Sequence, residues 1–320
     1  MKNTAIGKII KGVGGLYTVK LKSDCVLPAG ELIRCRARGA FRHEGITPLP
    51  GDNVTLLCPE RLGESKDGKE TAGFSITEIN DRRSALIRPP VANLDYLFIT
   101  MAAASPTPIL TTVDKLIAIA EFNKIEPVIV ITKSELDPEY ARKLHNIYSS
   151  CGFTCFCLSA VENIGIEPID LFIAENMDGK IAAFAGASGI GKSTLLNRLF
   201  PHLSLSTSEI SRKIERGRHT TREVELFALS KKNDCGYIAD TPGFSMLDFE
   251  RFDFFDKEDL PSTFREFDPY IGGCKYTKCT HTKEEGCAIL EAKRQGLIAR
   301  SRHESYAELF ETLKQKKKWN

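Results

Sequence analysis

No stretch of this 320-residue chain is both apolar enough and long enough to cross a bilayer. The most apolar run, YLFITMAAA (Tyr96–Ala104), falls well short of the ~20 residues that a spanning helix needs. The opening MKNTAIGKIIKGVGG lacks the apolar core of a secretory leader. Internal repeats are absent, and so is low-complexity sequence beyond a short basic tail. Surplus charge is missing too: 44 Lys and Arg stand against 42 Asp and Glu, a net charge of +2. Any affinity for nucleic acid must therefore come from local clusters of charge. The expectation is a cytoplasmic protein with no membrane association, whose ten cysteines stay reduced unless they bind metal.

What is present divides the chain in three. Residues 1–80 carry short β-like runs (LYTVKL, ELIRCRARG, NVTLL, FSITEI) between Gly, Pro and Asp turns, the pattern of a small barrel or sandwich. Arg34, Arg36 and Arg38 alternate, so a strand would place them on one face, with Arg42 just beyond. That face is either a solvated exterior or an RNA-binding surface. Residues 81–250 alternate apolar strands (DYLFIT, PVIVIT, FTCFCLSA, KIAAFAG) with helical segments (TTVDKLIAIAEF, EYARKLHNIYSS), which predicts βαβ units around a parallel sheet. Residues 251–320 are irregular, carry a Cys/His cluster and end in a charged helical pattern.

The strongest motif is Gly186-Ala187-Ser188-Gly189-Ile190-Gly191-Lys192-Ser193, followed by Thr194, between a strand and a helix. Glycines let backbone approach phosphates, amides at a helix N-terminus point at them, Lys192 reaches the outer phosphates, and the Ser193 hydroxyl suits Mg²⁺. Downstream, Asp240-Thr-Pro-Gly243 closes an apolar strand; Asp240 would hold Mg²⁺ through water and the Gly243 amide would sense a γ-phosphate. Between them, Arg216-Gly-Arg-His-Thr-Thr221 suits a switch loop, with Thr220 or Thr221 as a further Mg²⁺ ligand. Phe244 occupies the place after Gly243 where a water-orienting Gln would be expected, so a partner or another residue must complete the site. His219 is the nearest candidate to position or deprotonate water, with a solvated loop histidine as the competing reading.

A guanine-reading loop is lacking after Gly243. Upstream, two strand ends supply candidates: Thr132-Lys133-Ser134-Glu135, similar to an Asn-Lys-x-Asp loop, and Ser159-Ala160. Base loops before the phosphate loop imply a circular permutation. With GRHTT and DTPGF between phosphate loop and cysteine cluster, the chain resembles the bacterial small-ribosomal-subunit-dependent GTPase family over nearly its whole length. That resemblance implies an N-terminal OB-fold, a permuted GTPase domain and a C-terminal zinc domain. It also implies GTP as substrate with Mg²⁺, and a partner in the small ribosomal subunit and its rRNA. A Glu at position 135 retains a carboxylate to accept from guanine N1–H and the 2-amino group.

Cys274-x₄-Cys279-x-His281-x₅-Cys287 offers three thiols and one imidazole, a closed tetrahedral set for one structural Zn²⁺. Cys151, Cys155 and Cys157 read instead as core residues of a strand. Beyond the cluster, Lys293, Arg294, Arg300, Arg302 and the run from Lys314 to Lys318 suit phosphate contacts, or form simply a solvated helix face, with RNA contact the better of the two readings. The resulting expectation is a monomeric GTPase that assists late small-subunit maturation and is stimulated by the subunit. The rivals are an RNA-binding scaffold with incidental hydrolysis, and a P-loop ATPase or kinase acting on a small molecule.

Overall fold

The computed structural model describes residues 4–39, 41, 45–62, 70–86, 89–203, 224–230, 236–240 and 255–315. They fall into two compact units. One comprises Met1–Tyr96, Leu171–Ala183 and Phe200–Phe244, the other Leu97–Asp170, Phe184–Leu199 and Ser245–Asn320.

The first unit opens with β1 (Thr4–Val13), β2 (Leu16–Leu21), β3 (Leu32–Ala37), β4 (Asn53–Leu57) and β5 (Ser75–Ile79). They pair in the order β1-β2-β3-β5-β4, and β4 returns to β1, so the sheet closes. Only β3 and β5 run parallel within this ring. This is the connectivity of an OB-type barrel, in which closure leaves no unpaired edge. Along β3, Ile33 and Cys35 are fully buried while Leu32, Arg34 and Arg36 face outward, as a period of two requires. The first strand, TAIGKIIKGV, escaped the sequence reading because its glycines and lysines blur the alternation. It is nevertheless the hinge of the barrel, with Thr4–Lys8 paired to β4 and Gly7–Val13 paired to β2. Glycine is needed at position 7, where a Cβ would lie 2.5 Å from Val19 Cγ1. A short hairpin follows, β6 (Ala85–Leu86) with β7 (Val91–Ala92). The fully buried Asp52 accepts bonds from Arg82 Nε (2.7 Å), Arg82 Nη2 (2.8 Å) and the Leu49 amide (2.7 Å), so its charge is paired.

The alternating region runs β8 (Tyr96–Ala102), α1 (Leu110–Phe122), β9 (Glu126–Thr132), α2 (Pro138–Ser150), β10 (Thr154–Cys157), α3 (Ile166–Asn176), β11 (Ile181–Ala185), α4 (Lys192–Leu199), β12 (Glu225–Ala228) and β13 (Tyr237–Asp240). In the second unit the order is β10-β9-β8, with β9 and β10 parallel and the C-terminal end of β11 beside β8. Val128–Ile131 are wholly buried, and such strands read as continuous apolar runs. In the first unit the start of β11 runs parallel to β13, and β12 lies antiparallel to β13. Helix α2 begins at Pro138 after an Asp137 cap, whose carboxylate accepts from the Tyr140 amide at 2.9 Å. Helix α3 was not foreseen. Its buried Ile166, Ile169 and Ile173 do carry helical spacing, but Pro168 in the first turn interrupts the pattern.

The C-terminal region is mostly helical: 3₁₀ turns at Leu260–Thr263 and Arg265–Tyr270, then α5 (Ala288–Arg294) and α6 (Arg300–Gln315). Phe264, Phe267, Ile289, Tyr306 and Phe310 form its core together with Ala118 of α1. Arg302, expected to meet phosphate, is 1% exposed. Its guanidinium pairs with Asp114 of α1 (Nη1–Oδ1 2.5 Å) and with Glu266 (Nε–Oε1 2.7 Å), and Asp114 also accepts from Tyr148 of α2 at 3.0 Å. The physical reason is periodicity: Arg302 shares the inward face of α6 with Tyr306 and Leu309, so it faces protein and not solvent. Arg42, the basic tail beyond Gln315, His219, Thr220, Thr221 and Gly243 lie outside the described residues.

Candidate functional site: nucleotide loops and a metal centre

The phosphate loop leaves the end of β11, every residue of which is buried, and enters α4, which Leu195 and Leu199 anchor. Gly186, Gly189 and Gly191 adopt φ of 151°, 77° and 89°, and at all three an L side chain would be strained. Space excludes one at Gly186, since a Cβ there would stand 2.4 Å from both the carbonyl and the hydroxyl oxygen of Thr100. Ile190 is the loop's one large apolar residue and is buried beneath it. Ser188, Gly189 and Thr194 are exposed, whereas Ala187, Gly191, Lys192 and Ser193 are half-buried.

Both base-loop candidates converge on this loop. Thr132, at the end of β9, is buried, and its hydroxyl donates to the Ile190 carbonyl within the phosphate loop, with the Met101 carbonyl 3.1 Å away. The hydroxyl is thus turned into the protein. Lys133 takes φ 54° and extends its amine to the Ser105 carbonyl. The Ser134 amide donates to Leu158 O at 3.2 Å, joining the first base loop to the second. Ser159 is fully buried and exchanges two backbone bonds with Ile164, while its hydroxyl accepts from the Glu162 amide at 3.0 Å. Ala160 at the head of this hairpin is half-buried. Arg198 of α4 donates from Nε to Asn163 Oδ1 at 3.0 Å and so ties the same hairpin to the phosphate-loop helix. Glu135 is half-buried, and its Oε2 has no hydrogen-bond partner among the described residues. A buried, unpaired carboxylate oxygen is costly unless a ligand donates to it.

Asp240 ends β13, opposite Glu225 of β12. The three arginines of the barrel divide as expected for an outer face: Arg34, Arg36 and Arg38 are all exposed, and Arg36 Nε pairs with Glu70 at 2.6 Å.

The metal candidates Cys274, Cys279, His281 and Cys287 place their ligand atoms within 4.8 Å of one another. Cys274 Sγ and Cys287 Sγ each lie 3.5 Å from His281 Nδ1 and 3.9 Å from one another. A tetrahedral zinc with Zn–S ~2.3 Å and Zn–N ~2.0 Å requires edges of about 3.8 Å (S···S) and about 3.5 Å (S···N). The residues fit that ion closely. Groups outside the ligand set hold the loop: His303 Nε2 bonds the His281 carbonyl at 2.8 Å, and Tyr306 donates to the Thr280 carbonyl at 2.8 Å. Glu284 accepts from the Thr280 and Thr282 amides at 2.8 and 3.1 Å. Burial pushes the Glu284 carboxyl up, but the bonds it accepts from Thr280 and from backbone amides outweigh this and hold it down at about 2. None of these supporting groups had a sequence signal, because each is defined by what it meets across the fold. Cys151, Cys155 and Cys157 are buried or half-buried thiols, pushed by burial up to about 12, 12 and 11.

The family described as RsgA GTPase matches residues 79–250, and the RsgA N-terminal domain matches residues 6–61. The small ribosomal subunit biogenesis GTPase RsgA of Ruminiclostridium cellulolyticum is 40% identical over 97% of this chain and 94% of its own length. That of Bacillus pumilus is 38% identical, over 97% and 98%. Among solved structures, YjeQ from Thermotoga maritima superposes with a TM-score of 0.77 at 30% identity, covering 98% of this chain and all of that one. YloQ, a circularly permuted GTPase, gives 0.73 at 31%, covering all of this chain and 98% of that one.

Proposed function

Since the chain belongs to the RsgA GTPase family, we propose that its converging loops serve a GTP hydrolysis tied to the making of the small ribosomal subunit. One observation supports this reading above the others. Two base-loop candidates that precede the phosphate loop in sequence are bonded to it, or to one another, in a single compact unit. Moving strands from one end of the chain to the other preserves such a site, as a circular permutation does.

In this reading Lys192 and the amides of Gly186–Thr194 hold the phosphates. Lys133, Ser134 and Glu135, with Ser159 and Ala160, form the base subsite. The Glu135 carboxylate accepts from guanine N1–H and the 2-amino group, which pairs its lone oxygen. Ser193, Asp240 through water, and Thr220 or Thr221 hold Mg²⁺, which when bound neutralises charge developing on the phosphoryl oxygens. The Gly243 amide reports the γ-phosphate, and His219 positions the attacking water. The four metal candidates take one structural zinc. The three parts are a barrel over 1–80, a permuted GTPase domain over 81–250 and a zinc module over 251–320. Arg34, Arg36, Arg38 and Arg42 contact rRNA, and the protein acts in the cytoplasm as a monomer.

The test is multiple-turnover GTP hydrolysis with and without purified small subunits. Strong stimulation by the subunit is expected. Hydrolysis indifferent to the subunit would favour a scaffold with incidental turnover.

A further inference from the structure

The geometry points to Thr100 and Thr132 as a pair of positioning residues that fasten the two ends of the phosphate loop, and so to Thr132 as a brace and not a reader of the base. The inference rests on the nucleotide-site reading above. The two threonines sit on the adjacent strands β8 and β9, and each is 2% exposed. The Thr100 hydroxyl donates to the Ala185 carbonyl at 2.7 Å, immediately before the loop, and the Thr132 hydroxyl donates to the Ile190 carbonyl, immediately before Gly191.

A trans peptide points its carbonyl and its amide N–H in opposite directions. Holding the Ala185 and Ile190 carbonyls toward the sheet therefore aims the Gly186 and Gly191 amides away from it. Those two amides bound the loop between β11 and α4, part of the segment that must present N–H groups to an anion. The packing agrees: side-chain-free backbone is required at Gly186 by Thr100, and a Cβ on Gly191 would lie 3.9 Å from Thr132 Oγ1. Thr132 has only one hydroxyl proton, and its nearby carbonyls belong to Ile190 and Met101. A donor so placed is not available to a purine. Loss of an asparagine's paired donor and acceptor at this position therefore removes a base contact but keeps the brace, and discrimination passes to Glu135 and the Ser159–Ala160 loop.

The test compares full-length wild type with Thr132→Val, Thr132→Ser, Thr100→Val and Glu135→Gln. Binding of GDP, GTP, ITP and XTP is measured by titration, and folding is checked by thermal melting. Thr132→Val should weaken all four nucleotides together, by roughly tenfold, because the Ile190 carbonyl loses its donor. The GTP:ITP and GTP:XTP ratios should hold within about threefold of wild type, a margin of ~0.7 kcal/mol. Thr100→Val should do the same, and Thr132→Ser should bind like wild type. Glu135→Gln should shift preference from GTP toward XTP. A Thr132→Val protein with unchanged affinities, or with altered base ratios, overturns the brace. So does failure of Thr132→Ser to restore binding, which also decides the matter if the valine variant does not fold. A Glu135→Gln protein with unchanged base ratios would instead sink the guanine assignment and leave the brace standing.

Discussion

Arg302 shows how much one side chain can bind together. Its guanidinium is buried against Asp114 and Glu266, and Asp114 in turn bonds Tyr148. Removing one partner strands a buried charge, so Arg302→Met should cost about 3–5 kcal/mol in denaturant unfolding. The triple change Arg302→Met with Asp114→Leu and Glu266→Met should recover much of that loss, because both stranded carboxylates are gone. The thiols of Cys151, Cys155 and Cys157 make a second prediction at this scale. Burial raises each above the ordinary cysteine value of 9.0, to about 12, 12 and 11. A raised thiol is neutral in the native state and disfavours the thiolate, so its contribution is intact below pH 9 and is lost as pH rises through 11 to 12. Alkylation of the native protein at pH 9, read by mass spectrometry, should leave these three unlabelled. Rapid labelling there would contradict the burial.

At the scale of elements, the loop from Cys274 to Cys287 has little structure of its own and is framed by α6 through His303 and Tyr306. A metal that binds such a loop supplies its folding energy. Chelation at neutral pH should therefore speed amide exchange over residues 271–294 and leave the barrel strands protected. Exchange that rises equally in both would show that the metal supports the whole chain. Other elements differ in how far they could be read beforehand. Strands β8, β9 and β11 were legible because strands buried on both faces are apolar throughout, and the phosphate loop because glycine and lysine spacing there is dictated by phosphate. Strand β1 was not, because its pairing with two partners requires Gly7 and a bulge between Ile9 and Lys11 that break alternation. Helix α3 was hidden by Pro168. The convergence of Thr132 with Ile190, 58 residues apart, is a property of strand order that no local pattern carries.

For the molecule as a whole, charge is nearly balanced, so any attraction to RNA has to be local. On the barrel, Arg34, Arg36 and Arg38 stand outward, although Arg36 already shares its charge with Glu70. Replacing all three by Glu should weaken small-subunit binding and flatten its dependence on salt, while basal GTP hydrolysis stays as in wild type. Unchanged binding at low and high salt would assign that face to plain solvation. The cluster was legible in sequence; Arg302 was assigned to phosphate only because charge and helical spacing do not reveal which side of a helix meets protein.

The neighbour of β8 on the phosphate-loop side has a temporal consequence. Thr100 finds its acceptor on Ala185, 85 residues later. A chain emerging from synthesis thus completes β8, β9 and β10 long before β11 exists. At ~5–20 residues per second, β8 waits several seconds with one flank of its backbone unmatched. Before that interval closes both base loops are made, and no phosphate loop is yet present to receive them.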